Sequence, residues 1–239
     1  MTEALLIALG IAAAAGLMRG FAGVGSGMLM APFFVVLFGP VNTVAIIILM
    51  EVVATAQLPP SVYREIDWRV VGPMGVAAAA FMPLGSWLLV SLDPEWIARG
   101  VALLVLVFSI VLMAGWRYHG KKHIAATLGV GSVSGVLIAL TSLGNPPVML
   151  YLLSSQDDAA TNRANFTGYF AITLLTLIVW MSVVGLIEWH AVKTAALLIV
   201  PFFVAVWIGS RLFRKSSEAL YRRVALGILF CAGLYGLLR

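Results

Sequence analysis

Residues 19–32 read Arg-Gly-Phe-Ala-Gly-Val-Gly-Ser-Gly-Met-Leu-Met-Ala-Pro, and they lie between two apolar runs with no polar loop on either side. Backbone that leaves the helix inside a bilayer must be buried in protein or line a wet cavity, because lipid cannot satisfy its N–H and C=O groups. A helix that starts after such a bend presents unpaired N–H groups and a partial positive charge. The stretch therefore predicts an anion site in a broken membrane helix. The alternative is that its glycines only allow helices to pack closely.

The composition of the chain is that of a membrane protein. Its 239 residues are 62% hydrophobic and 10% charged, with a mean hydropathy of +1.05, whereas a typical soluble domain has roughly a quarter charged residues. The net charge of +5 comes from basic residues in short loops between apolar runs, as in cytoplasmic loops, so we expect a lipid bilayer and no nucleic acid as partner. A single cysteine, Cys231, excludes an intrachain disulfide or a thiolate cluster. We expect no metal and no cofactor.

The apolar runs predict ten helical segments. They are, approximately, 4–17, 28–38, 41–58, 70–91, 96–116, 124–140, 147–155, 164–186, 190–210 and 219–238. Six of them approach the roughly 20 residues that cross a bilayer. The pairs 4–17 with 28–38 and 124–140 with 147–155 flank Gly/Pro-rich bends, from Gly20 to Gly27 and from Ser142 to Pro147, and each pair is predicted to be a hairpin of short or interrupted helices. The predicted fold is an all-α polytopic integral membrane protein with about eight full or near-full spans.

Three short motifs recur in the same order at a nearly constant distance. They are Asp67-Trp68 and Glu188-Trp189, 121 residues apart, then Gly85-Ser86 and Gly209-Ser210, and Arg99 and Arg223, both 124 residues apart. This predicts one membrane domain, 1–239, built from a first repeat, 1–119, and a second repeat, 120–239. Each repeat has five segments, an odd number, so the halves should run in opposite directions through the membrane. Inverted repeats with interrupted helices are typical of secondary transporters working by alternating access.

The second bend contains several polar groups that could bind an anion. It reads Thr141-Ser142-Leu143-Gly144-Asn145-Pro146-Pro147, in which proline suits the first turn of a helix and Asn145 suits an N-cap. The alternative is that Asn145 only caps and that the hydroxyls bond back to their own helix. The predicted substrate-binding residues of both bends are Arg19, Gly23, Gly25, Ser26, Gly27, Thr141, Ser142, Gly144 and Asn145.

Two ionisable residues, Arg19 and Glu51, lie deep in apolar sequence, where charges are costly and often functional. A guanidinium can hold an oxyanion through two parallel N–H bonds, and Glu51 could carry a proton coupled to anion movement. A structural pairing of the two residues is equally open, as are proton coupling, sodium coupling and uniport. Gln57, Asn165 and Thr167 could line the path, although each is also explained as a polar residue in helix packing.

The two bends resemble a known family. Residues 19–27, followed by Pro32, resemble the amino-terminal signature of the TauE/SafE-type sulfite exporter family. Residues 144–153, Gly-Asn-Pro-Pro-Val-Met-Leu-Tyr-Leu-Leu, are similar to its second signature, which usually begins Gly-Gly-Pro-Pro, and residues 65–69 match its loop pattern. The resemblance implies a bacterial inner-membrane carrier of sulfur-containing or organic anions, such as sulfite, sulfoacetate or another sulfonate, and we expect it to act as an exporter. Asn145 departs from the usual glycine.

The distribution of positive charge predicts the orientation of the chain. The loops from Arg117 to Lys122 and from Arg211 to Lys215 are expected in the cytoplasm, which places both termini of this multi-pass protein in the periplasm. Whether the chain forms a homodimer is left open by these patterns.

Two functions other than a carrier are an anion channel and an intramembrane enzyme. An anion channel is close in mechanism and would differ in having a flux that does not saturate. An intramembrane enzyme would need a metal or a nucleophile with a base, but the apolar segments contain no His-x-x-x-His, Asp-x-x-Asp or Gly-x-Ser-x-Gly pattern. We therefore expect no enzymatic activity.

Overall fold

The computed structural model describes residues 2–22, 25–55, 65–114, 123–143, 145–152 and 159–213, together with 227, 230–231 and 233–234. The named helices in these ranges are α1 (Thr2–Ala22), α2 (Ser26–Phe38), α3 (Pro40–Thr55), α4 (Trp68–Ser91), α5 (Pro94–Met113), α6 (Ile124–Thr141), α7 (Asn145–Leu152), α8 (Ala159–Val183) and α9 (Trp189–Phe213). No described residue is in a strand. The predicted all-helical fold is confirmed for this part of the chain.

Six of the described helices are long and apolar enough to cross a membrane. The six stretches are Glu3–Gly20, Trp68–Ser91, Pro94–Val111, Ile124–Thr141, Ala164–Val183 and Trp189–Gly209. The shorter α2 and α3 are also apolar, with 13 and 16 residues. The chain is therefore a polytopic membrane protein. The figure of about eight spans stays a prediction, and the tenth predicted segment lies mostly outside the described residues.

The first helix is longer than the sequence predicts. It was expected to end near residue 17, but α1 continues through Gly20 to Ala22. A β-carbon at Gly20 would lie 2.0 Å from the carbonyl oxygen of Val206 on α9, so this glycine serves close helix packing and does not break the helix. In the two helix pairs that flank the bends, α1 with α2 and α6 with α7, only the second helix is short. Helix α2 has 13 residues and α7 has 8.

Glycines bring two pairs of helices into backbone contact, α1 with α9 and α4 with α6. A β-carbon at Gly16 would lie 2.3 Å from the carbonyl oxygen of Phe202. A β-carbon at Gly135 would lie 2.2 Å from the carbonyl oxygen of Ala78. Gly135 follows Gly16 by 119 residues, and Phe202 follows Ala78 by 124 residues.

A second contact in each helix pair is related by the same two sequence offsets. A β-carbon at Gly209 would lie 2.3 Å from the carbonyl oxygen of Leu17, and one at Gly85 would lie 2.4 Å from that of Val136. Val136 follows Leu17 by 119 residues, and Gly209 follows Gly85 by 124 residues. The packing of α1 on α9 thus recurs in the packing of α6 on α4, at two fixed sequence offsets.

Helix α3 lies in the interior of the bundle, in contact with α2, α8 and α9. Its residues from Val44 to Ile48 are at most 2% exposed, so this part of the helix is buried on every side, as expected of a segment that is apolar all round. Glu51 and Thr55 follow on the same helix and are also buried. The fold therefore places a carboxyl group and a hydroxyl group in the protein interior.

Candidate functional site

The first bend is narrow and centres on Gly25. This residue has φ +96°, a left-handed conformation that glycine adopts readily, and α2 begins immediately afterwards at Ser26. The N–H of Leu29 donates to the carbonyl oxygen of Gly25 at 3.2 Å. Gly25 is the N-cap of α2 and makes no side-chain capping hydrogen bond to the first turn of the helix, where N–H groups lack intrahelical partners.

The second bend begins where α6 ends. Ser142 has φ +62° and is the non-glycine residue with positive φ among the described residues, and its N–H donates to the carbonyl oxygen of Ile138 at 3.0 Å. Helix α7 starts at Asn145, with Pro146 and Pro147 in its first turn. Each predicted bend thus contains a left-handed residue next to a short helix.

The two bends lie in contact. A β-carbon at Gly27 would lie 3.3 Å from the carbonyl oxygen of Ser142 and 3.8 Å from Cγ2 of Ile47. That separation from a backbone oxygen is tighter than most side chains accept, so the absence of a side chain at Gly27 permits this approach. Gly27 and Ser142, predicted separately from the sequence, are therefore brought together.

Arg19 and Glu51 form a buried ion pair beside this contact. Nη1 of Arg19 lies 2.5 Å from Oε2 of Glu51, and the two side chains are 11% and 3% exposed. Nη2 of Arg19 donates to Oγ1 of Thr55 at 3.1 Å. Since Thr55 follows Glu51 by one turn of α3, both side chains face the guanidinium. The structural pairing that the sequence left open is present.

Ser26 and Phe170 complete the surroundings of the ion pair. The hydroxyl of Ser26, which is 1% exposed, donates to Oε1 of Glu51. The guanidinium carbon of Arg19 lies 5.3 Å from the centroid of the Phe170 ring on α8, a cation–π distance. One oxygen of the Glu51 carboxylate therefore accepts a hydrogen bond from Ser26, the other is ion-paired with Arg19, and the guanidinium also has an aromatic neighbour.

Such a cluster is costly to break. Removing one partner of a buried ion pair costs about 3–5 kcal/mol, because it leaves an uncompensated charge in apolar surroundings. An anion that replaced the carboxylate would meet the same guanidinium, a group that can bind an oxyanion through two parallel N–H bonds. The geometry is thus compatible with a structural pair and with an anion site.

Comparison with known proteins identifies the family. The sequence profile of the family described as "Sulfite exporter TauE/SafE" matches residues 8–236. The chain belongs to this family. It is accordingly a membrane transporter and not an enzyme.

Two curated relatives agree with this membership. A protein of Comamonas testosteroni named "Probable inner membrane transporter protein TsaS" is 26% identical over 197 residues, covering 79% of this chain and 80% of the relative. A protein of Cupriavidus necator named "Probable sulfite/organosulfonate exporter TauE" is 28% identical over 204 residues, covering 81% of this chain and 78% of the relative. No solved structure matches the chain.

In this transporter, the two hydroxyls of the second bend differ in their bonding. Thr141 donates to the carbonyl oxygen of Leu137 at 2.7 Å and accepts from the N–H of Leu143 at 3.2 Å, so its hydroxyl hydrogen is used within its own helix end. Ser142 Oγ is buried and has no hydrogen-bond partner in the described part of the chain. Ser142 is the better placed of the two to bind a ligand.

The other predicted residues lie elsewhere or outside the description. Asn165 is fully buried, and its Oδ1 accepts the N–H of Asp67 at 2.7 Å, which ties α8 to the residue before α4. Thr167 is half-buried on the same helix. Gly23, Gly144 and Gln57 lie outside the described residues, as does the side chain of Asn145.

Two contacts of Arg19 were missed by the sequence analysis. Thr55 could have been found, because it follows Glu51 by four residues and therefore shares its helix face. The contact with Phe170 could not have been predicted from a local sequence pattern, since Phe170 lies 151 residues after Arg19. Among the described residues, no group of three His, Cys, Asp or Glu side chains could hold a metal ion.

Proposed function

We propose that this family member is a secondary transporter that exports a small sulfur-containing or organic anion, such as sulfite, sulfoacetate or another sulfonate, across the bacterial inner membrane. Family membership supports membrane transport, and the description of the family and the name of the Cupriavidus necator relative supply the sulfur-containing substrates. The observation that carries the anion site is the buried guanidinium of Arg19 beside the contact between Gly27 and Ser142. A buried cation next to uncapped helix amides is an environment for a negative charge.

The proposed site combines donors from both bends. Arg19 supplies its guanidinium, Ser26 its hydroxyl, α2 the N–H groups of its first turn, and Ser142 its buried hydroxyl. The remaining predicted residues are proposed as lining, namely Gly23, Gly25, Gly27, Thr141, Gly144 and Asn145. Glycine at positions 25 and 27 keeps side chains away from the gap.

The transport cycle is proposed to follow from two inverted halves, 1–119 and 120–239. The recurrence of the α1–α9 packing in the α6–α4 packing, at offsets of 119 and 124 residues, supports a duplication. Each half holds one bend, so a rocking movement of the halves would open the site to one side and then the other. Both termini are proposed to be periplasmic.

Glu51 is proposed as a coupling residue that carries a proton, with sodium coupling and uniport as the alternatives. Its carboxylate contacts Arg19 and Ser26, the residues proposed to bind the anion, so any change in its charge would alter the binding of that anion. Gln57, Asn165 and Thr167 are proposed to line the path.

A thermal-shift screen of the purified protein tests the substrate class. Sulfite, sulfate, thiosulfate, sulfoacetate, taurine and small carboxylates are compared at equal ionic strength. A ligand at about 100 times its dissociation constant should stabilise the folded protein by roughly 2.7 kcal/mol. We expect sulfite or a sulfonate to stabilise the protein most, and no stabilisation by any of these anions would contradict the proposal.

A further inference from the structure

The Glu51 carboxylate lies where an anionic substrate would bind. Its Oε2 is paired with Arg19 and its Oε1 accepts the hydroxyl of Ser26. These are two of the donors that the proposed anion site offers. In this state the protein therefore already holds an anion at the site, supplied by its own chain.

We infer that Glu51 is an internal ligand of the anion site, which the transported anion must displace from Arg19 and Ser26. The inference rests on the proposed function, because it assumes that an anion binds between the two bends. It goes further in assigning to Glu51 a competing role, in addition to any coupling role.

The reason for such a competitor is electrostatic. An unopposed guanidinium in apolar surroundings would hold an anion too tightly for rapid release, whereas transport requires binding that is weak enough to reverse. Displacing the carboxylate costs the protein one buried ion pair and brings two negative groups close together. Both effects subtract from the affinity of the substrate.

The way in which the carboxylate binds also indicates which anions can replace it. One oxygen meets Arg19 and the other meets Ser26, so the site matches two oxygens on one central atom. Sulfite, sulfonates and carboxylates present such a pair of oxygens, whereas a halide presents a single centre. Thr55 accepts from Nη2 of Arg19, whereas the carboxylate is paired with Nη1, so an anion that replaces the carboxylate need not displace Thr55.

Glu51→Gln tests the competition, since it removes the charge and keeps the size of the side chain. Binding of methanesulfonate, sulfite and chloride is measured by calorimetry in lipid nanodiscs. We expect the variant to bind methanesulfonate and sulfite about tenfold more tightly than the wild type, on the order of 1.4 kcal/mol. The gain for chloride should be clearly smaller.

Thr55→Val is the matched control, because it also removes a contact of Arg19 but no charge. It should not raise the affinity for methanesulfonate; an increase equal to that of Glu51→Gln would show that loosening Arg19 is sufficient and would overturn the inference. If Glu51→Gln cannot be purified, Glu51→Asp takes its place. The shorter carboxylate should compete less well and give a smaller gain in affinity, and no gain would count against the inference.

The outcomes separate the inference from the proposed function. If the wild type binds methanesulfonate or sulfite and Glu51→Gln binds the same anion equally or more weakly, Glu51 does not compete with the anion. The proposed anion site would then be retained. If neither protein binds any of the oxyanions, the proposed anion site fails, and the inference fails with it.

Discussion

The carbonyl oxygen of Ser142 lies 3.3 Å from the position that a β-carbon would occupy at Gly27. These residues are 115 positions apart in the chain, and each belongs to a bend next to a short helix. The buried pair of Arg19 and Glu51 is linked to the same place through Ser26, the residue before Gly27. The contact is therefore the point at which the two bends and the buried charges come together.

Gly27→Val should disrupt the contact between Gly27 and Ser142. A branched side chain there must push α2 away from Ser142, because the neighbouring atom is a backbone oxygen that cannot turn aside. We expect anion flux into proteoliposomes to fall by about tenfold or more, equivalent to at least about 1.4 kcal/mol. Gly72→Val is the control, since a β-carbon at Gly72 has no neighbour within 4 Å. Equal flux in both variants would argue against a functional contact between the bends.

Arg19→Ala should abolish anion binding measured in detergent and should also destabilise the protein. The unpaired Glu51 charge would cost about 3–5 kcal/mol, so loss of binding could be mistaken for loss of folding. The double variant Arg19→Met with Glu51→Met removes both charges and should recover much of the thermal stability while still failing to bind.

Two results would count against this role of Arg19. Arg99→Ala, which removes an exposed arginine paired with Glu95, should bind anions as the wild type does. If it loses binding as Arg19→Ala does, or if the double variant binds normally, Arg19 is not a ligand.

The glycine contacts that recur in the α1–α9 and α4–α6 helix pairs should contribute similarly to the stability of the protein. Gly16→Val and Gly135→Val would each force a side chain against a backbone carbonyl, and overpacking of this kind typically costs about 1–3 kcal/mol. Thermal unfolding in detergent should show comparable losses for the two variants. Gly10→Val, at a position where a β-carbon meets nothing within 4 Å, should be close to neutral. A large loss in only one of the two glycine variants would weaken the case for a duplication.

The sequence predicted the features that depend on local pattern. Apolar runs of spanning length predicted the long helices, and the Gly/Pro-rich stretches predicted the bends at Gly25 and Ser142. The rarity of charge in apolar sequence pointed to Arg19 and Glu51, because an ionisable group in a membrane needs a partner. These predictions required no knowledge of which segments touch.

Features that depend on distant contacts could not be predicted in the same way. Gly20 was expected to belong to the bend, but α1 continues through it because the space beside it is filled by the backbone of Val206. A glycine that breaks a helix and a glycine that packs against one look alike in sequence. Likewise, only the fold shows that Phe170 covers the guanidinium of Arg19.

Exchange of radiolabelled sulfite or sulfoacetate in proteoliposomes tests most directly whether the protein is an alternating-access carrier with one anion site. Flux is measured against substrate concentration, with and without the same anion on the opposite side of the membrane. We predict that flux saturates and that the anion on the opposite side accelerates it. A flux that rises without saturation and is indifferent to the opposite side would indicate a channel and would contradict the carrier mechanism.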